Sequence, residues 1–459
     1  MTLIKSISGI RGTIGGTPGD NLTPVDLVAF ASAFSDWVKT KAAKPKVVIG
    51  RDGRITGEMV KQIVIQTLCA NGVDVIDLDF STTPTVEMYV PYSAAQAGII
   101  ITASHNPMTY NALKFLNEKG EFINAEEGLA ILNMSEAGKF DFAPVDDLGK
   151  VSRETDAITY HIDQILKLDL VNVDGIRAHQ FKVVVDCINS TGSLAIPPLL
   201  DALNVEYKLI NAEINGVFAH NPEPLAEHLT QLADAVKSER ADFGIVVDPD
   251  VDRLAFISED GTMFGEEYTL VAIADYILSK TPGNTVSNLS STQALGDVTK
   301  KHGQQYHAAA VGEVNVVQKM KEVNAIIGGE GNGGVIYPTL HAGRDALVGI
   351  ALFLSLLAEQ KMSVSVLKKT YPQYVISKNK IQLEKGMDID SILSYLENEY
   401  NTYAIDRTDG VKVIMDGEWI HLRKSNTEPI IRIYSESTTK EKADLLAQQV
   451  QEKVSEFLN

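Results

Sequence analysis

Cysteine is scarce in this sequence: among 459 residues only Cys69 and Cys187 are cysteines, each inside an apolar run. That excludes a disulfide framework and points to two buried structural thiols. Long hydrophobic runs are missing as well. No stretch approaches the ~20 apolar residues that a membrane-crossing helix needs, and the N-terminal MTLIKSISGIRGTIGG has neither a long apolar segment nor the cleavage pattern of a secretion signal. The cytoplasm is the expected compartment. Excess positive charge is absent too: 41 lysines and arginines face 60 aspartates and glutamates, a net charge of −19. General affinity for nucleic acid or an anionic membrane is thereby excluded. Any anionic ligand must be gripped by a local cluster of cations.

What is present is a recurring plan. The length suggests roughly three or four domains. LTPVDLVAFASAFSDWVK reads as an amphipathic helix, with Thr23 as cap, Pro24 at the first helical position and Leu27, Phe30, Ala31, Phe34 and Val38 on one face. The strand KPKVVIGRD, the helix EMVKQIVIQTLCANG and the strand VDVIDLDF follow as a βαβ pattern. AGIIITASHNP, FKVVVDCINSTG, DFGIVVDPDVDR and NAIIGGEGNGG then each run from a β-rich stretch into a loop of small or polar residues. In open parallel sheets ligands gather beyond the carboxyl ends of strands. Linkers are expected near KFDFAPVDDLGKVSRETD, in the charge-rich region after Arg253 and at YPQYVISKNK. The C-terminal part predicts a hairpin turning at Asp416 and Gly417, then an amphipathic helix carrying Leu445, Leu446, Val450, Val454 and Phe457.

Four of these loops carry chemistry. In DPDVDR, an extended backbone would put Asp248, Asp250 and Asp252 on one side, where they repel unless a cation sits among them. Oxygen ligands without histidine or cysteine favour magnesium over zinc, and the glycine and distal glutamate of a calcium loop are missing. In TASHNP, Ser104 stands at a strand end without the GxSxG context of acyl transfer, so phosphoryl chemistry fits better; a capping turn reads the same way. GGEGNGG, residues 328–334, has no P-loop lysine, and Glu330 and Asn332 suit vicinal sugar hydroxyls. RKSNTEPIIR gathers Arg423, Ser425, Asn426, Thr427 and Arg432 as phosphate donors, while Arg11, Lys114 and Arg253 supply cations nearer the acidic and serine loops.

Taken in this order, SHNP, DPDVDR, GEGNGG and RKSNTEP resemble the α-D-phosphohexomutase family along essentially the whole chain. The resemblance implies three related α/β domains with mixed sheets plus a smaller C-terminal α+β domain, heart-shaped around a central cleft, here bounded at 1–150, 151–254, 255–368 and 369–459. It implies that Ser104 is a phosphoserine which, with Asp248, Asp250 and Asp252, ligates one Mg²⁺ per chain. Lys114 is the implied general acid/base and Arg11 a charge stabiliser, with His105, Asn106 and Arg253 around the phosphoserine. Glu330 and Asn332 are implied sugar contacts, and Arg423, Ser425, Asn426, Thr427 and Arg432 the grip on the non-reacting phosphate. The implied reaction moves phosphate between positions 6 and 1 of a hexosamine through a sugar 1,6-bisphosphate. Its partner is a phosphosugar, not nucleic acid or membrane, and the chain is expected to be a monomer or homodimer. Pro249 and Val251 replace glycines common in the acidic loop. The form GGExNGGxIxP points to glucosamine phosphate, with glucose or mannose phosphate as alternatives. A metal-dependent sugar phosphatase or a non-catalytic sugar-phosphate sensor would share parts of the pattern.

Overall fold

The computed structural model describes residues 2–6, 8–382, 388–424 and 430–458. The chain forms two compact units, Met1–Thr269 with Gly333–Val366, and Leu270–Asn332 with Leu367–Asn459.

The first unit opens on the expected helix. Pro24–Lys39 starts at a reciprocal capping box between Thr23 and Asp26, and its predicted face is buried to the last residue. That face packs against one side of a seven-stranded mixed sheet in the order Ile4–Ser6, Gly9–Thr13, Tyr110–Leu116, Ala97–Ile101, Lys46–Arg51, Asp74–Phe80, Val151–Arg153. Lys46–Arg51 runs parallel to both neighbours, as the intervening helix Gly57–Ala70 requires. Tyr110–Leu116 runs antiparallel to Ala97–Ile101, so the strand ending before Ser104 and the strand holding Lys114 are neighbours. Gly9 in turn lies opposite Lys114 at φ +142, and a Cβ there would sit 1.9 Å from the carbonyl oxygen of Leu113. Only glycine lets the strand with Arg11 approach so closely.

A second sheet of the same unit runs Leu254–Ser258, Phe243–Val247, Lys182–Asp186, Glu206–Ile210; the last three are parallel. The segment after Arg253, expected as a linker, is therefore a fully buried strand, because LAFIS alone is apolar and the charges begin only at Glu259. Both cysteines are buried thiols, and burial pushes the Cys187 thiol upward.

The second unit has two sheets. Tyr306–Ala309, Asn284–Asn288 and Ala325–Glu330 pair in parallel. Val375–Gln382, Ile430–Ser437, Glu418–Lys424, Val411–Met415 and Ala404–Asp406 form an antiparallel sheet. The hairpin turns at Asp416 and Gly417, as the sequence predicts, with Gly417 at φ +72. YPQYVISKNK is not a connection throughout: the strand begins at Val375, just past the break imposed by Pro372. The last helix, Lys440–Leu458, buries Ala443, Ala447, Val450 and Val454, but Leu445 is exposed. A step of about 100° per residue puts Leu445 off the face that Leu446 borders. Phe457 is exposed at its edge and stacks on Tyr395. Among the described residues no helix is long and apolar enough to cross a membrane.

Candidate active site

Ser104 sits in a tight turn after Ala97–Ile101, at φ +48, a left-handed conformation uncommon for serine. Two side chains hold it there. Its N–H donates to Thr102 Oγ1 at 2.9 Å, and Thr102 donates to buried Asp52 at 2.6 Å. Arg54, fully buried, spreads its planar fork beneath the loop. Nη2 donates to the carbonyls of Ser104 and Asn106, Nη1 to those of Pro107 and Tyr110, and Nε to Asp52. Asn106 closes the turn with its own N–H and Nδ2 on the carbonyl of Ala103.

The Ser104 hydroxyl donates to Asp248 Oδ2 at 2.7 Å, joining residues 144 apart in sequence. Asp248, Asp250 and Asp252 converge, each offering an oxygen within 4.8 Å of the others. They do so by a different route from the one the sequence suggests. The loop is a turn rather than an extended strand, with Val251 at φ +62, and the curl, not alternation, gathers the carboxylates. A buried β-branched residue in that conformation stores strain of order 1–3 kcal/mol, of the kind found at functional loops.

All three aspartates are fully buried. Burial and the two neighbouring carboxylates push Asp248 well above the usual carboxylate range. Burial would also raise Asp250, but the Lys114 ammonium at 2.8 Å outweighs it and holds the acid low. Lys114 itself is lowered by burial and raised more strongly by Asp250 and Asp252, so it stays protonated. His105 lies with Nδ1 3.4 Å from Ser104 Oγ; burial, then the charges of Arg253, Arg11 and Arg344, hold its pKa well below the ordinary value. Arg253 donates its N–H to Asp248 Oδ1 and stands 3.9 Å from Asp248 and Asp252 through Nε.

The donor set suits a hard cation. Oδ1 of Asp250 and Oδ1 of Asp252 are buried without a hydrogen-bond partner among the described residues, a costly arrangement unless an ion completes it. The sequence-predicted residues Ser104, His105, Asn106, Lys114, Arg11, Arg253 and the three aspartates are thus brought together within one compact unit.

The second unit gathers the remaining candidates. Glu330 is the last residue of its strand; Oε1 accepts from Asn288 Nδ2 at 2.9 Å and from the N–H of Gly312 at 3.1 Å, and Oε2 accepts from Asn332 at 3.4 Å. Arg423 and Arg432 stand directly opposite each other across an antiparallel pair. Like charges so placed repel. Burial lowers the Arg423 pKa, partly against Asp409, and Arg432 lowers it further; Nε of Arg423 has no hydrogen-bond partner among the described residues. Such a pair offers two sets of charge-assisted donors to an anion. Ser425, Asn426 and Thr427 lie outside the described residues.

Sequence reasoning missed Arg54, Asp52, Thr83, Arg344 and Asn288. The run GRDGR at 50–54 is a visible signal, since two arginines and an aspartate at a strand end rarely serve the surface alone. Nothing local marks the other three.

Comparison with known proteins points to one family. The family descriptions for phosphoglucomutase/phosphomannomutase match in order: alpha/beta/alpha domain I at residues 3–141, domain II at 159–261, domain III at 265–374 and the C-terminal domain at 380–453. A phosphoglucomutase/phosphomannomutase of Thermococcus kodakarensis is 36% identical, over 94% of this chain and 95% of that one. A probable phosphoglucosamine mutase of Methanopyrus kandleri is 32% identical, over 95% and 94%. Among solved structures, a phosphoglucomutase/phosphomannomutase family protein of Burkholderia thailandensis superposes with a TM-score of 0.84 at 24% identity, over 98% of this chain and 96% of that one. Three related α/β domains, a C-terminal domain and relatives matched almost end to end leave one conclusion: the chain belongs to the phosphoglucomutase/phosphomannomutase family of α-D-phosphohexomutases.

Proposed function

We propose that the protein is a phosphoglucosamine mutase, converting glucosamine 6-phosphate to glucosamine 1-phosphate through a 1,6-bisphosphate, with Ser104 as phosphoryl carrier. The observation that carries this reading is the 2.7 Å hydrogen bond from Ser104 Oγ to the buried acidic cluster. The hydroxyl donates to a buried acid at 2.7 Å rather than to His105 at 3.4 Å, and its surroundings suit a dianionic group compensated by a cation.

In the forward step the Oγ–P bond of phosphorylated Ser104 breaks as the free sugar hydroxyl forms its own bond to phosphorus. The hydroxyl proton leaves to a neighbouring group and Ser104 Oγ gains one. Lys114, held protonated by Asp250, and His105, kept neutral by burial and nearby arginines, are the acid and the acceptor at hand. Arg11 and Arg253 offset the charge of the transferring group. Asp248, Asp250 and Asp252 with the Ser104 phosphoryl group would hold a magnesium ion, which supplies neutralisation of phosphoryl oxygens. On this reading Glu330 and Asn332 orient the sugar hydroxyls, and Arg423 and Arg432, with Ser425, Asn426 and Thr427, grip the phosphate that does not react. The 1,6-bisphosphate must turn end for end without escaping, which requires a grip indifferent to which phosphate it holds. Burial of Ser104 limits hydrolysis by water.

The Thermococcus relative favours a second reading, phosphoglucomutase or phosphomannomutase activity. Glucosamine 6-phosphate, glucose 1-phosphate and mannose 1-phosphate assayed side by side decide between them. The highest kcat/KM on glucosamine 6-phosphate is expected, and preference for either neutral sugar overturns the assignment. Release of inorganic phosphate in place of isomerisation would make the protein a phosphatase instead.

A further inference from the structure

The acidic loop is held by two clamps. Thr83, the first residue of the helix Thr83–Tyr92, donates its N–H to the carbonyl of Asp250 at 2.9 Å and its hydroxyl to Asp250 Oδ2 at 2.6 Å. On the other side the segment 344–346 takes the next two residues. Ala346 donates its N–H to the carbonyl of Val251, and Arg344 Nη2 donates to Asp252 Oδ2 at 2.8 Å. Each clamp ties one carboxylate through Oδ2, and the oxygens left without hydrogen bonds among the described residues are Oδ1 of Asp250 and Oδ1 of Asp252. One oxygen of each carboxylate is held and the other is left open, the pattern by which surrounding groups aim metal ligands.

His161 joins the clamps. It is fully buried on the helix Ala157–Ile165. Nδ1 lies 3.0 Å from Thr85 Oγ1, two residues beyond Thr83, and Nε2 lies 2.9 Å from Asp345 Oδ2, between Arg344 and Ala346. Thr82 donates to Thr85, so the chain of hydroxyls is satisfied when Thr85 donates to Nδ1 and Nε2 carries the proton toward Asp345. Asp345 is fixed further: Oδ1 caps the helix Ala346–Gln360 through the N–H groups of Leu347 and Val348, and His341 Nε2 approaches Oδ2 at 3.4 Å. All these residues belong to the first compact unit.

We propose that His161 is a positioning residue for the cation site. By bridging Thr85 and Asp345 it sets the spacing of the Thr83 and Arg344 clamps, and so the aim of the open oxygens of Asp250 and Asp252. The inference rests on the reading of the aspartates as a divalent-cation site. His161→Gln and Thr83→Val each break one link, and Thr83→Ser restores the hydroxyl.

The test is Mn²⁺ binding to the full-length dephosphorylated protein, followed by the electron paramagnetic resonance of free Mn²⁺, so that no turnover is needed. His161→Gln and Thr83→Val are expected to weaken Mn²⁺ binding about 10–100-fold, with Thr83→Ser near wild type and near-UV circular dichroism unchanged. Affinity within twofold of wild type in folded His161→Gln overturns the proposal. If that variant does not fold, unchanged affinity in Thr83→Val does the same. Absence of Mn²⁺ binding by the wild-type protein instead sinks the reading of the cation site itself.

Discussion

The two units each concentrate like charges, and they stabilise them by opposite means. In the first, three carboxylates share a buried turn where Ser104, Lys114, Thr83, Arg344 and backbone N–H groups each take a defined oxygen. In the second, strand register sets Arg423 and Arg432 opposite each other, with Asp409 and Glu330 offsetting the charge on Arg423. The acidic site is prepared by a dense surrounding network; the basic one is prepared by secondary structure. A network can aim individual oxygens, as the proposed cation site requires, whereas register brings two guanidinium groups together, as the proposed phosphate grip requires.

The largest expected effect breaks the comparison on its acidic side. Ser104→Ala should reduce turnover on every hexose phosphate by about 10³-fold or more, measured by coupled assay, and full activity would remove Ser104 from the mechanism. Next comes the basic side in acid. His421 is buried in the second unit, donating from Nε2 to the carbonyl of Asp409 and accepting from Ser290, and burial lowers its pKa to about 4. The unfolded chain takes up that proton first. Stability is therefore complete above about pH 6.5 and falls toward pH 4, by roughly 3 kcal/mol at most. Chemical denaturation between those pH values should show the slope, and His421→Gln should flatten it.

A smaller effect sharpens the phosphate grip. Arg423→Met removes a charge-assisted donor worth about 1.5–3 kcal/mol, so kcat/KM for the phosphosugar should fall about 10–100-fold, mostly in KM, while Mn²⁺ binding stays put. The smallest concerns the acidic cluster. Asp248→Asn relieves repulsion while its one oxygen accepts the N–H groups of Asp252 and Arg253 and its NH₂ donates to Ser104 Oγ, and the metal-free protein should gain up to about 1 kcal/mol in urea denaturation. The same variant should lose the stabilisation that Mn²⁺ gives the wild type.

Much of this was legible in the sequence because the reactive groups sit in short loops behind strongly apolar strands. Ser104, Asp248 and Glu330 each follow or end such a run, and the periodic face of Pro24–Lys39 is buried as read. Three kinds of feature stayed hidden. The curl at Val251 replaces an extended loop, since a left-handed β-branched residue runs against its local preference and persists only through tertiary contacts. His161 and Arg344 act across 92 to 184 positions, and pairwise distance in the fold leaves no mark in a local pattern. The opposition of Arg423 and Arg432 depends on register, which their spacing in the sequence does not announce.

The account stands or falls on Ser104 as a phosphoryl carrier. The direct measurement is intact-protein mass with peptide mapping after exposure to a hexose 1,6-bisphosphate and Mg²⁺. One phosphoryl group on the peptide containing Ser104, retained through turnover of a hexosamine phosphate and never acquired by Ser104→Ala, is the predicted result. An active enzyme whose Ser104 peptide stays unmodified throughout would contradict it.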